Sequence, residues 1–405
     1  MSKLTKYRRN SALKKSLASW PFFAQDEIAA VKRVLQSGKV NYWTGQEGRL
    51  FEKEFAANTG VKYAVAVMNG TVALEAALMA LGIGKGDEVI VTPRSFIASA
   101  SCAIMRGAKP VFADVDRESQ NITAATIEKV ITKRTSAIIA VHLAGWPCAM
   151  DEIMALAKKR KLAVVEDCAQ ASGAFYKGRP VGSFGDAAAF SFCQDKIMTT
   201  GGEGGMVVTN KKSIWSKVWS YKDHGKNYAT VYKTGVKPGP SFRWLHESFG
   251  TNWRMTEIQS AIGRIQLRKL EGWIKKRRRN ALILTKAFLN IPTLRVTIPP
   301  DDVIHAYYKY YVFLKPEMLK RGWDRERIIM AINQQRVPCF TGSCSEMYLE
   351  KAFAVAKLRP QRRLPVAAEL GKTAMMFLVH PGLTEKDMKD MVRAVEKVMS
   401  VASKR

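Results

Sequence analysis

Acidic residues are scarce in this chain of 405 residues: 35 Asp and Glu stand against 65 Lys and Arg, a formal net charge of +30. That imbalance favours anionic partners, whether phosphorylated or carboxylated substrates, nucleic acid or acidic membrane surfaces, without choosing among them. Long apolar runs are also missing. None approaches the ~20 residues that cross a bilayer, and the basic first segment lacks the apolar centre of a signal peptide, so no membrane span is expected. The six cysteines include no CxxC pair and no regular framework. A chain this long needs no covalent staples, so a reducing, cytoplasmic setting is expected and no metal site is read. No helix-turn-helix, zinc-finger or RNA-binding signature is present, nor any internal repeat or low-complexity segment. The two conspicuous basic runs, Lys3, Lys6, Arg8, Arg9, Lys14 and Lys15 near the start and KKRRR at 275–279, read as solvated surface.

What is present is a chain with 47% hydrophobic residues, long enough for about two domains. After a basic arm over 1–24, helix periodicity over 25–35 stops at Ser37-Gly38, and a second amphipathic helix runs from Arg49 to Gly60. Apolar runs then alternate with helical patterns. Strands are expected at 63–68, 88–92, 110–113, 136–141 and 162–166, and helices at 72–81, 97–106, 127–131 and 150–160. Near-continuous apolar strands joined by helices predict an α/β fold, a mostly parallel sheet with helices on both faces, whose ligands bind at the carboxyl ends of the strands. A helix to Tyr221, a Gly/Pro-containing loop or lid at 235–240 and a long helical pattern opened by GTNWRMTE (250–257) follow. That long helix would bridge to a smaller α+β domain with strands at 307–314, 336–340 and 375–379. The expected domains are 25–265 and 266–405.

The residues just past the strands carry the chemistry. Asn69-Gly70-Thr71 sits between strand and helix, where free backbone N–H groups and a hydroxyl meet a phosphate, or where a helix is merely capped. Phe96 follows the second strand and reads either as core or as a flat cover for a ring. Asp167, after the strand 162–166, reads as a helix cap or as a carboxylate holding a proton on a pyridine nitrogen. His142, at another strand end, reads as a satisfied buried histidine. In FSFCQDKIMTTGGEGGMVVTN (190–210), Lys196 stands among small and polar neighbours before a glycine-rich turn and reads either as a surface lysine on that loop or as an amine that attacks an aldehyde. Ser191, five residues before Lys196, could reach the same phosphate. The aromatic loop NYWTGQEG (41–48), with Trp43 and Thr44, reads equally as a packed connector or a pocket wall.

Phosphate cradle, flat aromatic, carboxylate and amine at successive strand ends are the parts of a pyridoxal phosphate site. The blocks NGTVALEAALMALGIGKGDEVIVTPRSFIASAS, VVEDCAQASGAFYKGRPVGSFGDAAAFSF, TTGGEGGMVVTN and GTNWRMTEIQSAIGRIQL carry a close resemblance to the DegT/DnrJ/EryC1/StrS aminotransferases, sugar-modifying enzymes of fold type I. The resemblance implies pyridoxal 5'-phosphate as cofactor, with Lys196 as its covalent partner and the acid and base of the proton shift. It implies Asp167 at the ring nitrogen, Gln170 beside the phenolic oxygen, Phe96 on the ring, and Gly70, Thr71 and Ser191 on the phosphate. Asn252 would reach the phosphate of a partner chain, so a homodimer is expected, and Trp43, Thr44, His224, Arg254 and Lys309 are substrate candidates. Lysine rather than histidine at 196 favours transamination over dehydration.

The sequence also departs from the pattern, at CQDK before the lysine, at Ser172, and at RVPCFTGSCSEMYLEKAF (336–353). These departures leave the acceptor open. Glutamate is the expected donor and a nucleotide-linked keto-hexose the first expectation, for lipopolysaccharide or another surface glycan. A free acidic keto-sugar such as an oxo-3-deoxy-octulosonate is the second, because Lys222, His224, Lys226, Arg254 and Lys309 would suit a carboxylate. A basic nucleic-acid-binding protein without turnover is the rival of another class.

Overall fold

A computed structural model of the chain describes residues 17–232 and 245–404. Most of the basic first segment and the Gly/Pro-containing loop at 235–240 lie outside the described residues.

The elements follow in chain order. Helices α1 (Gln25–Ser37) and α2 (Glu47–Thr59) lead into β1 (Tyr63–Val67), α3 (Gly70–Ala80), β2 (Glu88–Val91), α4 (Ala98–Met105) and β3 (Lys109–Phe112). Next come α5 (Ala124–Glu128), β4 (Thr135–Val141), α6 (Met150–Arg160), β5 (Ala163–Asp167), the short strands β6 (Phe175–Tyr176) and β7 (Arg179–Pro180), then β8 (Ala187–Ser191) and β9 (Gly205–Thr209). Helices α7 (Lys212–Tyr221), α8 (Tyr228–Tyr232) and α9 (Glu257–Phe288) precede β10 (Leu294–Arg295), β11 (Val303–Ile304) and β12 (Tyr310–Leu314). The chain closes with α10 (Arg325–Gln334), β13 (Cys339–Phe340), α11 (Lys351–Val355), α12 (Pro365–Thr373), β14 (Ala374–Phe377) and α13 (Glu385–Ala402).

The central sheet runs β1-β9-β8-β5-β4-β2-β3. Only β9 is antiparallel to its neighbours, and the other pairings are parallel. The period-two alternation of β1 shows why both faces are covered: Val65 and Val67 pack with α3, whereas Ala64 and Ala66 meet Phe51 and Phe55 of α2. The fold is thus the expected α/β architecture, with strands and helices within a few residues of their predicted positions. Four elements differ. The segment 250–256 is extended, bridged to Val67 through Arg254 and to Asp223 through Asn252, and α9 starts only at Glu257, where Thr256 caps it. The helix expected at 127–131 is α5, three residues earlier. The strands expected from Tyr307 and Arg336 begin at Tyr310 and Cys339, because both residues have positive φ and break the extended run.

The second sheet, β10-β12-β14-β13, is antiparallel and packs with α10, α13 and the second half of α9. The expected boundary at 265/266 falls inside the unbroken α9. Nor does everything beyond it belong to the smaller sheet. Met347, Tyr348 and Phe353 join the core around α3 and β2, and β11 pairs with β6.

Candidate active site

Four strands of the large sheet deliver their carboxyl ends to one cavity of about 660 Å³, lined by Gly70, Thr71, Phe96, Asp167, Gln170, Ser191 and Lys196. After β1, the Asn69 side chain accepts from the Val72 N–H and starts α3, so the capping reading of Asn69 holds while Gly70 and Thr71 present the helix's first turn to the cavity. Glycine is required at 70 because a Cβ there would stand 2.6 Å from Ser191 Cβ. The two loops meet backbone to side chain, as an anion cradle at a helix N-terminus needs. Phe96, read as core or cover, is 67% exposed and lines the cavity, so it is not core.

Asp167 ends β5 and is buried. Its Oδ2 accepts from Ser99 Oγ at 2.7 Å and its Oδ1 from the Ala169 N–H at 3.1 Å. Both bonds fix the direction of the carboxylate. Gln170 is held by accepting from the Ala144 N–H at 2.8 Å.

Lys196 sits in the β8–β9 loop. Thr199 Oγ1 and the Thr200 N–H both donate to the Phe192 carbonyl, at 3.0 and 3.1 Å, folding the loop back on the strand. Helix α9 anchors it: Gln266 Oε1 accepts from the Thr199 N–H at 2.8 Å, and Gln259 Nε2 donates to the Glu203 carbonyl at 2.7 Å. The Trp20 indole N–H donates to the Lys196 carbonyl at 2.8 Å. The lysine Nζ lies 5.0 Å from the centre of the Tyr308 ring, and among the described residues no carboxylate forms an ion pair with it. Tyr308 donates to Asp195 Oδ2, which also lies 3.7 Å from Lys309 Nζ. Burial alone would raise the Asp195 carboxyl, but the Tyr308 hydroxyl and the Lys196 and Lys309 charges hold it below its ordinary value.

This set fits pyridoxal phosphate. An amine, a buried and oriented carboxylate, an exposed aromatic face and a glycine-walled helix N-terminus surround one space of suitable size. Residues 22–396 match the DegT/DnrJ/EryC1/StrS aminotransferase family. The chain belongs to that family. It is 37% identical over 350 residues to an Escherichia coli GDP-perosamine synthase, covering 85% of this chain and 89% of that one. It is 35% identical to the Bacillus subtilis spore coat polysaccharide biosynthesis protein SpsC over 98% of this chain and 99% of that protein. Among solved structures, an aminotransferase from Psychrobacter cryohalolentis superposes with a TM-score of 0.92 at 56% identity, covering 95% of this chain and 99% of that one. The protein is accordingly a pyridoxal phosphate-dependent sugar aminotransferase with a fold type I architecture, so the rival reading of a protein without turnover falls.

The substrate candidates divide. Lys309 flanks Asp195 in a second cavity adjoining the first. Trp43, Thr44, His224, Asn252 and Arg254 do not line the Lys196 cavity of their own chain. Trp43 is half-buried under Lys226, 4.2 Å above its ring, and Arg254 pairs with Asp223 at 2.5 Å. Thr44, His224 and Asn252 are exposed. Lys222, counted above as a cation for a carboxylate, is instead fully buried and paired with Glu52 at 2.9 Å, so it serves the fold. His142 is satisfied as expected, by Glu166 at 3.1 Å and the Cys148 N–H at 3.0 Å. With Cys168 they form a buried cluster, yet Glu166 already accepts from three backbone N–H groups, a structural arrangement. Sequence reasoning missed Ser99, Asp195 and Tyr308. Ser99 was recoverable, since it stands in the first turn of the helix after Phe96, facing the strand end that bears Asp167.

Proposed function

We propose that the enzyme moves an amino group from glutamate to a keto-sugar, with a nucleotide-linked keto-hexose as the acceptor class and a surface glycan as the destination. The convergence of Gly70, Phe96, Asp167, Ser191 and Lys196 on one cavity carries the reading. Kinship to a protein named GDP-perosamine synthase and to a spore coat polysaccharide protein supports the acceptor class.

The cofactor, when bound, supplies an electron sink that stabilises the charge left when a proton leaves the substrate carbon. The chain's residues do the rest. Lys196 Nζ, the amine of the cavity, would hold the cofactor covalently and would serve as the base and acid that moves the substrate proton. Asp167, aimed by Ser99, would hold a proton on the cofactor's ring nitrogen. Phe96 would cover the cofactor ring and exclude water from it, Gln170 would stand beside its phenolic oxygen, and the first turn of α3 with Ser191 would hold its phosphate. Asn252, exposed and held in the extended segment before α9, would serve a partner chain in a homodimer; its exposure supports this reading.

A panel of keto-sugars tests this. With glutamate as donor, 2-oxoglutarate release is expected with a nucleotide-linked keto-hexose. Acceptance of free acidic keto-sugars alone would overturn the acceptor class. Unchanged turnover in Lys196→Ala would overturn the mechanism.

A further inference from the structure

The run KKRRR reads as solvated surface, but its central residue is not. In α9 the inward positions are Ile274, Arg277, Ala281, Leu284 and Phe288, a three-to-four-residue stripe, and Arg277 lies on it with 1% exposure. It lines a cavity of about 860 Å³ that shares Asp195 and Tyr308 with the Lys196 cavity. The guanidinium is half-used. Nη1 donates to the carbonyls of Tyr307 and Tyr308, both at 3.2 Å, whereas Nε and Nη2 have no partner among the described residues. Those two nitrogens form one side edge of the guanidinium, the fork that takes both oxygens of a carboxylate.

The surroundings suit an anion. Trp20 lies 5.3 Å from the guanidinium carbon and stacks on His380 at 5.9 Å, and neither ring nitrogen of His380 has a partner among the described residues. Lys309 and Arg336 also line the cavity, and among the described residues Asp195, which Tyr308 and Lys309 already engage, is the single acid lining it. Burial lowers Arg277 to about 9 and, with help from Arg277 and Lys309, His380 to about 4. A buried cation without a counter-charge is costly, and a bound anion would relieve it.

We propose that this cavity is a carboxylate-binding site, in which the free edge of Arg277, with Lys309 and His380 beside it, receives the acid group of a substrate reacting at Lys196. The inference rests on the aminotransferase reading for the position of the reacting carbon. The carboxylate has two sources, the far acid group of a dicarboxylic amino donor or the acid group of a sugar acid.

The probe is glutarate, with its neutral diamide as control, added to the cofactor-loaded enzyme and followed by thermal midpoint and calorimetry. Glutarate is expected to bind and raise the midpoint and the diamide to do neither. In Arg277→Met, glutarate affinity should fall roughly 10- to 100-fold, the loss of a charged two-point contact, with the cofactor absorbance unchanged. Should that variant not fold, Lys309→Gln is expected to weaken glutarate several-fold. Equal affinity for the diamide, or glutarate binding unaltered by the substitutions, overturns the proposal. The two half-reactions identify the source. A KM raised for glutamate alone in Arg277→Met assigns the site to the donor, and one raised for a sugar acid alone assigns it to the acceptor; both support the proposal, and no change in either overturns it. Intact transamination without carboxylate recognition refutes only this inference. Glutarate binding without transamination refutes only the proposed function.

Discussion

Gly205→Ala should damage cofactor binding from a position that never touches the cofactor. Gly205 begins β9, paired to Val67 on one side and Ser191 on the other. A Cβ there would stand 2.3 Å from the Asn69 carbonyl oxygen, 2.4 Å from its carbon and 2.9 Å from the Gly70 nitrogen. All three are backbone atoms, so no side chain can rotate away. Reaching ordinary contact demands about 1 Å of movement between β9 and the start of α3. That shift takes the first-turn N–H groups out of the roughly 2.7–3.2 Å window in which they bind a phosphate oxygen. Losing one such charge-assisted bond costs about 1.5–3 kcal/mol, or about 10- to 100-fold in cofactor Kd, and the strain itself lowers folding stability by about 1–3 kcal/mol. Fluorescence titration of the cofactor-free protein gives the Kd, and urea unfolding with and without cofactor separates the two effects. A Kd within twofold of the parent, with normal stability, would refute the cradle argument.

Gly272, exposed in α9 with nothing within 4 Å of a would-be Cβ, gives the opposite expectation. Gly272→Ala should stabilise the chain by about 0.5–1 kcal/mol in urea unfolding with unchanged kinetics. His380 makes stability pH-dependent. Its folded-state pKa of about 4 lies below the ordinary 6.5, so the unfolded chain binds more protons between those values and stability falls as pH drops through that window. The His380 part is on the order of 3 kcal/mol, and His380→Asn should remove it from a urea series at pH 7 to 4, leaving the similar contribution of His305. If sites are shared between chains, mixing inactive Lys196→Ala and Asn252→Ala chains, then exchanging subunits, should restore about a quarter of parental activity. No recovery, or single-chain sedimentation, would argue that one chain suffices.

The fold was legible wherever local pattern decides it. Apolar runs broken by Asn69-Gly70 or Glu166-Asp167 located the strand ends, and the site followed because parallel strands point their carboxyl ends the same way. What resisted reading depends on partners far away in sequence. Lys222 looks like any loop cation until Glu52, 170 positions earlier, is seen beneath it. Phe353 gives no sign that it packs beside α3 rather than the smaller sheet. Arg277 was hidden by its neighbours: five consecutive cations suggest water on every side, and only the phase set by Ile274, Ala281 and Leu284 turns one of them inward.

Helix α9 grips the lysine loop through Gln259 and Gln266 and then carries Arg277, before Asn280 ties it to the carbonyls of Val379, His380 and Leu383. From Gln266 to Arg277 is three turns of unbroken helix, roughly 16 Å of stiff rod. If Arg277 takes a carboxylate as proposed, the rod works as a gauge: it would set how far a molecule's acid group stands from its reacting carbon, at a length fixed by the helix. Adding one residue within those turns would swing the guanidinium by about 100° and point it elsewhere.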